Sequence, residues 1–282
     1  MNRSIMAVGA HADDIEIWVG GTLLKYRALG YEVVYVQSTN NMSGKNSRLL
    51  PDGTVHSVNE GTLDMMRRRK VECDNAARML GTVPIHLDHP QRHYHSSPQS
   101  PMIELRYGCA LPEGVAANIP SILTAHEDSA SVARVTDLIL DRDTEVVLTH
   151  GVAQHNVEHF TTGLLVTYAY WKAVEKGYRG ALLHWREANT TLGGINCRWE
   201  TFVDYSPFLD QKMELIGKHA CQMPKAHLPE FGHRNLCREW GTACGCQAAE
   251  VFTWVRRADR DFEENQGSMG GNLLFELNQN SR

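Results

Sequence analysis

The 282-residue chain has no apolar run long enough to span a bilayer, and its first residues lack the apolar core of a signal peptide. It also has no excess of positive charge, since 28 Lys and Arg stand against 33 Asp and Glu for a formal net charge of −5. These absences argue against a membrane protein and against a nucleic-acid partner. We therefore expect a cytoplasmic protein.

The Cys-x-x-Cys motif is missing as well. The seven cysteines are odd in number and mostly scattered. The sequence therefore predicts reduced thiols rather than a disulfide framework. Cys237, Cys244 and Cys246, with His227 and His233 nearby, leave a structural zinc site open, although the spacing lacks the paired cysteines typical of such sites.

The chain contains no internal repeat and no linker, so we interpret residues 1–282 as a single domain. Two segments depart from regular patterning. Residues 88–120 form an irregular insertion rich in Pro, Ser and His, which we expect to cover the mouth of an active site or to line a subunit interface. Its His93 and His95 are interpreted as surface histidines, with a second metal site as the alternative. Residues 257–282 are predicted to be a polar C-terminal tail.

Apolar runs alternate with segments of helical periodicity along most of the chain. This alternation predicts an α/β protein with a Rossmann-like, doubly wound and mostly parallel sheet covered by helices on both faces. No Gly-x-Gly-x-x-Gly follows the first strand, which excludes a plain dinucleotide-binding site. Strands or ordered segments are expected over 4–9, 31–39, 83–87, 145–149, 181–186, 198–203 and 248–255, and loops over 40–59 and 223–246.

A histidine and two carboxylates follow the first predicted strand, in the sequence Ala10-His11-Ala12-Asp13-Asp14. His11 and Asp14 are three residues apart, so a single turn can direct both toward one ion. Imidazole and carboxylate suit zinc or a similar divalent metal. Asp13 can face the same pocket without binding the metal. The alternative is an ordinary helix start in which an aspartate is the N-cap.

A second polar cluster directly follows the predicted strand 145–149. It runs from His150 to His159, contains Gln154-His155-Asn156-Val157-Glu158-His159, and leads into a helix. Its groups also lie at the carboxyl end of a strand, where open α/β sheets bind ligands. The alternative is a polar helix start on the surface. A chance occurrence of both clusters at two separate strand ends is less probable than that of either alone.

Together with Gly20-Gly21-Thr22-Leu23, these clusters resemble the LmbE/PIG-L family of metal-dependent amide hydrolases, which remove acetyl groups from N-acetylated sugars. Ala12 replaces the usual Pro of the first motif. The resemblance implies that His11, Asp14 and His159 hold Zn²⁺ or another divalent metal. It also implies that Asp13 is the general base.

The second cluster departs from the family pattern. Asn156 occupies a position that often holds His, and an Asn can donate one hydrogen bond to an oxyanion but cannot carry a proton. General-acid help must then come from Asp13 or from another histidine such as His155. Glu158 replaces the usual Asp, and we expect it to orient a neighbour or to cap the helix. Gln154 also replaces an Asp.

Three further residues are predicted to contact substrate on the strength of the resemblance. Asn41 lies in the loop after the second strand, Arg69 on the following helix, and His219 near the end of a later helix. The alternatives are a solvated loop at Asn41, an ion pair between Arg69 and Glu72, and a His219 that only complements its helix dipole.

The sequence thus predicts a zinc-dependent hydrolase that deacetylates an N-acetylated amino sugar of the N-acetylglucosamine type. Two alternatives stay open: an amidase of a thiol or natural-product conjugate on the same site, and a catalytically silent sugar- or nucleotide-binding module. The expected partner is a small-molecule substrate, and we expect a homo-oligomer.

Overall fold

The computed structural model describes residues 3–105, 111–142, 144–152, 155–187 and 201–256. The strands are β1 Ser4–Gly9, β2 Glu32–Thr39, β3 Lys45–Leu49, β4 Val55–Asn59, β5 Ile85–His89, β6 His93–Tyr94, β7 Ile103–Glu104, β8 Thr144–His150, β9 Ala181–Trp185, β10 Thr201–Asp204 and β11 Ala249–Arg256. The helices are α1 Asp14–Ala28, α2 Thr62–Met79, α3 Ser129–Asp141, α4 Val157–Glu175, α5 Leu209–Gly217 and α6 Gly232–Cys244, and a 3-10 turn, Ser206–Phe208, precedes α5.

Seven strands form one sheet in the order β10-β11-β9-β8-β1-β2-β5. The five strands from β9 to β5 run parallel, whereas β11 is antiparallel to β9 and β10 is antiparallel to β11. The chain passes from β1 to β2 on one side, and β8 pairs on the other side of β1. The gap between the carboxyl ends of β1 and β8 is therefore a topological switch point, where such sheets bind ligands.

Helices cover both faces of the sheet. Successive residues of a strand point to opposite sides, so each buried strand contributes apolar side chains to two cores. Ile5 and Ala7 of β1 belong to one core, which also contains residues of α1 and α2. Met6 and Val8 belong to the other, which contains residues of α3 and α4. The predicted doubly wound α/β fold is confirmed. Among the described residues, no helix combines the length and the apolar character needed to cross a membrane.

Two predicted loops contain regular structure. The segment 40–59 was expected to be a loop, but β3 and β4 form an antiparallel hairpin within it. The hairpin is largely exposed and polar, so it lacks the apolar alternation that identifies a strand. Segment 223–246 contains α6, which buries Cys237 and Trp240 among polar and glycine residues. The described part of this segment places no three of its Cys and His residues within reach of one ion.

The irregular part of the predicted insertion 88–120 begins two residues later than expected, because β5 continues to His89. The short strands β6 and β7 then pair with each other, so the insertion is partly ordered as a small hairpin. Residues 106–110 lie outside the described part of the chain, as does the predicted tail 257–282.

Candidate active site

The turn between β1 and α1 is held by hydrogen bonds at almost every residue. The Ala10 carbonyl accepts from Nε2 of Gln37 and from Oγ1 of Thr39, each at 2.6 Å. The Ala12 amide donates to Oδ1 of Asn41 at 2.8 Å. Asp13 adopts φ 123°, a value that a non-glycine residue reaches only under constraint from its surroundings. Such constraint at a polar turn is typical of a functional site.

Three side chains from two distant segments converge beside this turn. Nδ1 of His11 lies 3.1 Å from Nε2 of His159 and 3.2 Å from Oδ2 of Asp14. Nε2 of His159 lies 3.4 Å from Oδ1 of Asp14. Ligand atoms about 2.0–2.1 Å from a tetrahedral zinc ion stand roughly 3.3 Å from one another, which these separations match. The residues present therefore fit a divalent metal.

The outer nitrogen of each histidine is held by a carboxylate. Nε2 of His11 lies 2.7 Å from Oε2 of Glu158, and Nδ1 of His159 lies 2.9 Å from Oε2 of Glu187. Carboxylates in this position fix the tautomer and the ring orientation of metal-binding histidines. The contact between Glu158 and His11 supports the expectation that Glu158 orients a neighbour.

His150, at the end of β8, completes this support. The amide of Ala10 donates to Nε2 of His150 at 2.9 Å, so that nitrogen acts as an acceptor, and Nδ1 donates to Oε1 of Glu187 at 2.5 Å. His150, His159 and Glu187 also lie close enough to hold an ion. Hydrogen bonding accounts for that second group, because its contacts of 2.5 and 2.9 Å are those of charge-assisted hydrogen bonds. We assign His150 and Glu187 to orienting His159.

The charges of the cluster favour a cation. Burial opposes ionisation of Asp14, but the nearby histidines His159, His11 and His150 hold its pKa well below the usual range. Burial likewise opposes ionisation of Glu158, yet His11 lowers the pKa of Glu158 to about 2. Burial also opposes protonation of His11, yet Asp14 and Glu158 raise the pKa of His11 to about 10. The carboxylates of Asp14 and Glu158 therefore favour positive charge at this cluster.

Asp13 lies beside the cluster and pairs with Arg69. Nη2 of Arg69 lies 3.2 Å from Oδ2 of Asp13 and also donates to the Ala12 carbonyl. Burial raises the pKa of Asp13, while the Arg69 guanidinium opposes that rise. The alternative ion pair between Arg69 and Glu72 is wrong, because Glu72 instead accepts from the Cys221 amide at 2.9 Å. Arg69 is buried against Asp13, so we assign it to holding that carboxylate.

The other predicted site residues lie around the cluster in different ways. Asn41 is buried and supports the Ala12 amide through its side chain. His219 has no exposed surface and pairs with the buried Glu16, with Nε2 3.1 Å from Oε2, so no substrate reaches it in this conformation. Asn156 is the N-cap of α4, and its Oδ1 accepts from the Glu158 amide at 3.0 Å, while its Nδ2 has no hydrogen-bond acceptor among the described residues.

His155 is exposed on the turn before α4, and it makes no contact with His11, Asp14 or His159 within the described residues. The role of His155 as a proton donor stays a prediction. Gln154 lies outside the described part of the chain.

Sequence reasoning missed Glu187 and Glu16 and gave His150 no role. Glu187 stands two residues after β9, at the same sheet edge as the two recognised clusters. That position after a buried strand was a usable signal. His150 ends β8 in the same way, and Gly163 of α4 lets the helix approach it closely, because a Cβ there would meet the His150 carbonyl at 2.6 Å.

The fold is similar to three solved structures of low sequence identity. GalB, the 4-carboxy-2-hydroxymuconate hydratase from Pseudomonas putida, matches with a TM-score of 0.64 and 18% identity over 91% of this chain and 97% of GalB. N,N'-diacetylchitobiose deacetylase from Pyrococcus horikoshii matches with a TM-score of 0.61 and 16% identity over 89% of this chain and 83% of that one. The zinc-inhibited form of teicoplanin deacetylase Orf2 matches with a TM-score of 0.57 and 17% identity over 90% and 96%.

The sequence itself matches the family described as PIG-L: GlcNAc-PI de-N-acetylase over residues 6–170. That range covers more than half of the chain and includes all three converging side chains, His11, Asp14 and His159. The chain belongs to the PIG-L family.

Proposed function

We propose that this protein is a divalent-metal-dependent hydrolase, with zinc as the expected metal, that removes the acetyl group from an N-acetylated amino sugar. The convergence of His11, Asp14 and His159 beside the buried Asp13 carries the proposal. Membership of a de-N-acetylase family supports it, as does the similarity to two deacetylases that act on a chitobiose derivative and on teicoplanin.

A cation held by these three residues would polarise the amide carbonyl and lower the pKa of an attacking water to about 7. The chain supplies the proton transfers. Burial raises the pKa of Asp13 and so makes its carboxylate a stronger base, which can accept the proton of the attacking water. Arg69 keeps Oδ2 of Asp13 in place at 3.2 Å and so fixes the direction of that transfer.

The second half of the reaction needs an oxyanion donor and a proton for the leaving amine. Oδ1 of Asn156 accepts from the Glu158 amide at the start of α4, so Nδ2 can donate to the oxyanion. His155 is exposed and away from the ligands, so we assign the proton donor to Asp13, which returns to the amine the proton that it took from water. The products are acetate and a free amino sugar.

Acetate release tests the proposal. Purified protein loaded with zinc is incubated with N-acetylglucosamine, N,N'-diacetylchitobiose and a panel of acetylated aminoglycosides. We expect acetate from at least one of them, and we expect Asp13→Asn to lose roughly 100-fold or more of that rate while it retains stoichiometric metal. A protein that purifies without stoichiometric metal and releases no acetate would support the silent binding module instead.

A hydratase is the second candidate, since GalB shares the fold over almost the whole of both chains. Asn156 is the residue that favours it, because adding water across a carbon–carbon double bond expels no amine and does not require the histidine that the family often has at that position. A 2-hydroxymuconate carboxylate separates the candidates. Loss of its conjugated absorbance, without acetate release from any amide, would favour the hydratase.

A further inference from the structure

The end of α6 brings two cysteines together. The amide of Cys246 donates to the Gly241 carbonyl at 2.8 Å, and the amide of Gly245 donates to the Thr242 carbonyl at 3.3 Å. This pair of bonds is the Schellman arrangement, in which the residue after the helix takes a left-handed conformation. Gly245 adopts this conformation with φ 81°, in which a residue with a side chain would be strained. The reversal of direction at Gly245 places the side chains before and after it on the same side.

The two thiols are in direct contact and accessible. Sγ of Cys244 lies 3.3 Å from Sγ of Cys246, Cys244 is exposed, and Cys246 is partly exposed. The other cysteines within the described residues, Cys73, Cys221 and Cys237, are buried. A covalent disulfide needs about 2.05 Å between sulfurs, so closure requires a shift of roughly 1 Å. Of the described cysteines, this pair alone combines contact with access to solvent.

We propose that Cys244 and Cys246 are a thiol–disulfide exchange site whose co-reactant is a low-molecular-weight disulfide. The Cys244 thiolate attacks one sulfur of that disulfide, which forms a mixed disulfide on Cys244 and releases one small thiolate. Cys246 then loses its proton to solvent and attacks Sγ of Cys244, which releases the second small thiolate. The protein is oxidised by two electrons and the small disulfide is reduced to two thiols.

The surroundings assign the order of attack. Burial, the hydrogen bond to Cys244 and the charge of Asp204 raise the pKa of Cys246 to about 12, so Cys246 stays protonated while Cys244 is free. Once Cys244 is in a mixed disulfide, its hydrogen bond and its charge no longer act on Cys246. Because Cys244 is exposed and Cys246 only partly exposed, the small disulfide meets Cys244 first, and Cys246 is the resolving thiol. A disulfide that closes so short a loop is strained and exposed, which is typical of reversible rather than structural disulfides.

The site lies on the connection between α6 and β11 and shares no residue with the proposed metal site. The exchange proposal can therefore be tested independently of the proposed deacetylase activity. The following turn is well anchored, because the amides of Gln247 and Ala248 both donate to Oγ of Ser206 at 3.1 Å. Closure is thus confined to the Cys244–Cys246 segment.

The test is peptide mapping of the full-length protein. Reduced protein is incubated with oxidised glutathione, alkylated and digested with trypsin. The peptide 239–256 contains Cys244 and Cys246 and no other cysteine. We expect this peptide to be two hydrogen masses lighter and free of alkyl groups, and dithiothreitol should restore double alkylation. A doubly alkylated peptide, or a glutathione adduct that persists on Cys244, would overturn the proposal.

Two variants and an internal control sharpen the result. Cys246→Ser should stop at a stable glutathione adduct on Cys244, while Cys244→Ser should lose most of the adduct and all closure. Cys237 lies on a separate tryptic peptide, 235–238, and should remain unmodified because it is buried. Covalent dimers linked through Cys244 would contradict an exchange site within one chain.

Discussion

His11 is held by Glu158 across a separation of 147 residues, with Nε2 of the histidine 2.7 Å from Oε2 of the glutamate. That contact engages one ring nitrogen and leaves Nδ1 to face His159 and Asp14. Glu158 is itself fixed by the Arg92 amide at 2.6 Å and by Nε2 of Gln91 at 3.3 Å. The insertion after β5 therefore supports the proposed metal site indirectly, through the carboxylate that orients His11.

Replacing Glu158 tests this support. We expect Glu158→Gln to weaken zinc binding by about 10- to 100-fold, because the amide cannot hold His11 through a charged hydrogen bond. The measurement is competition for zinc with a chromophoric chelator. Glu175→Gln is the control on the same helix, since among the described residues Glu175 forms its ion pair with the exposed Lys172. Equal zinc affinities for Glu158→Gln and the wild type would show that Glu158 does not support zinc binding.

Arg69 should set the pH at which the base works. The guanidinium favours the ionised form of Asp13, so Arg69→Met should raise the pKa of Asp13 further. Because a general base acts only when ionised, the acidic limb of the kcat/KM profile should move to higher pH. Arg68→Met provides a matched control, since Arg68 is exposed and bonded to Glu60 at 2.7 Å. An unmoved limb in Arg69→Met would mean that another group accepts the proton.

A buried ion pair ties α1 to the distal part of the sheet. Nζ of Lys212 lies 2.5 Å from Oε1 of Glu250, and neither side chain is exposed. Glu250 also accepts from the amides of Gly21 and Thr22, at 2.9 and 2.7 Å. We expect Glu250→Gln to lower the free energy of unfolding by about 3–5 kcal/mol, because it leaves the Lys212 charge buried and unpaired. Denaturant unfolding measures the change.

Exposed pairs should behave differently. Glu175→Gln breaks the surface pair with Lys172 and should change the free energy of unfolding by less than about 1 kcal/mol. Similar losses for Glu250→Gln and Glu175→Gln would show that Lys212 and Glu250 do not anchor the helix.

His184 on β9 should contribute to acid sensitivity. Burial lowers the pKa of His184 to about 4, against about 6.5 for an unfolded chain. As the pH falls below 6.5, the unfolded state takes up this proton before the folded state does, so stability is lost between pH 6.5 and 4. The free energy of unfolding of the wild type should therefore fall between pH 6.5 and pH 4 by roughly 1–3 kcal/mol more than that of His184→Gln.

The check on His184 is denaturant unfolding at pH 7 and pH 4. Gln retains a polar group near Oγ1 of Thr167, which contacts Nε2 of His184 at 3.3 Å. His56→Gln on the exposed strand β4 is the control. Parallel losses in His184→Gln and the wild type would assign the acid sensitivity to other groups.

Much of the sheet was predictable because its buried strands are continuous apolar runs, as in Met6 to Val8, and both polar clusters directly follow such runs. The hairpin of β3 and β4 could not be predicted, since an exposed polar strand has no apolar signature. Glu187 was also missed, because a single acid after a strand carries no motif. Its role depends on the parallel pairing that places β9 beside β8, which local sequence does not specify.

The binding of one cation by three side chains is the claim on which the mechanism depends, and anomalous diffraction tests it most directly. Crystals of zinc-loaded protein should show one anomalous peak per chain at bonding distance from Nδ1 of His11, a carboxylate oxygen of Asp14 and Nε2 of His159. A peak bound instead by His150 and Glu187, or no peak at full zinc loading, would contradict the account.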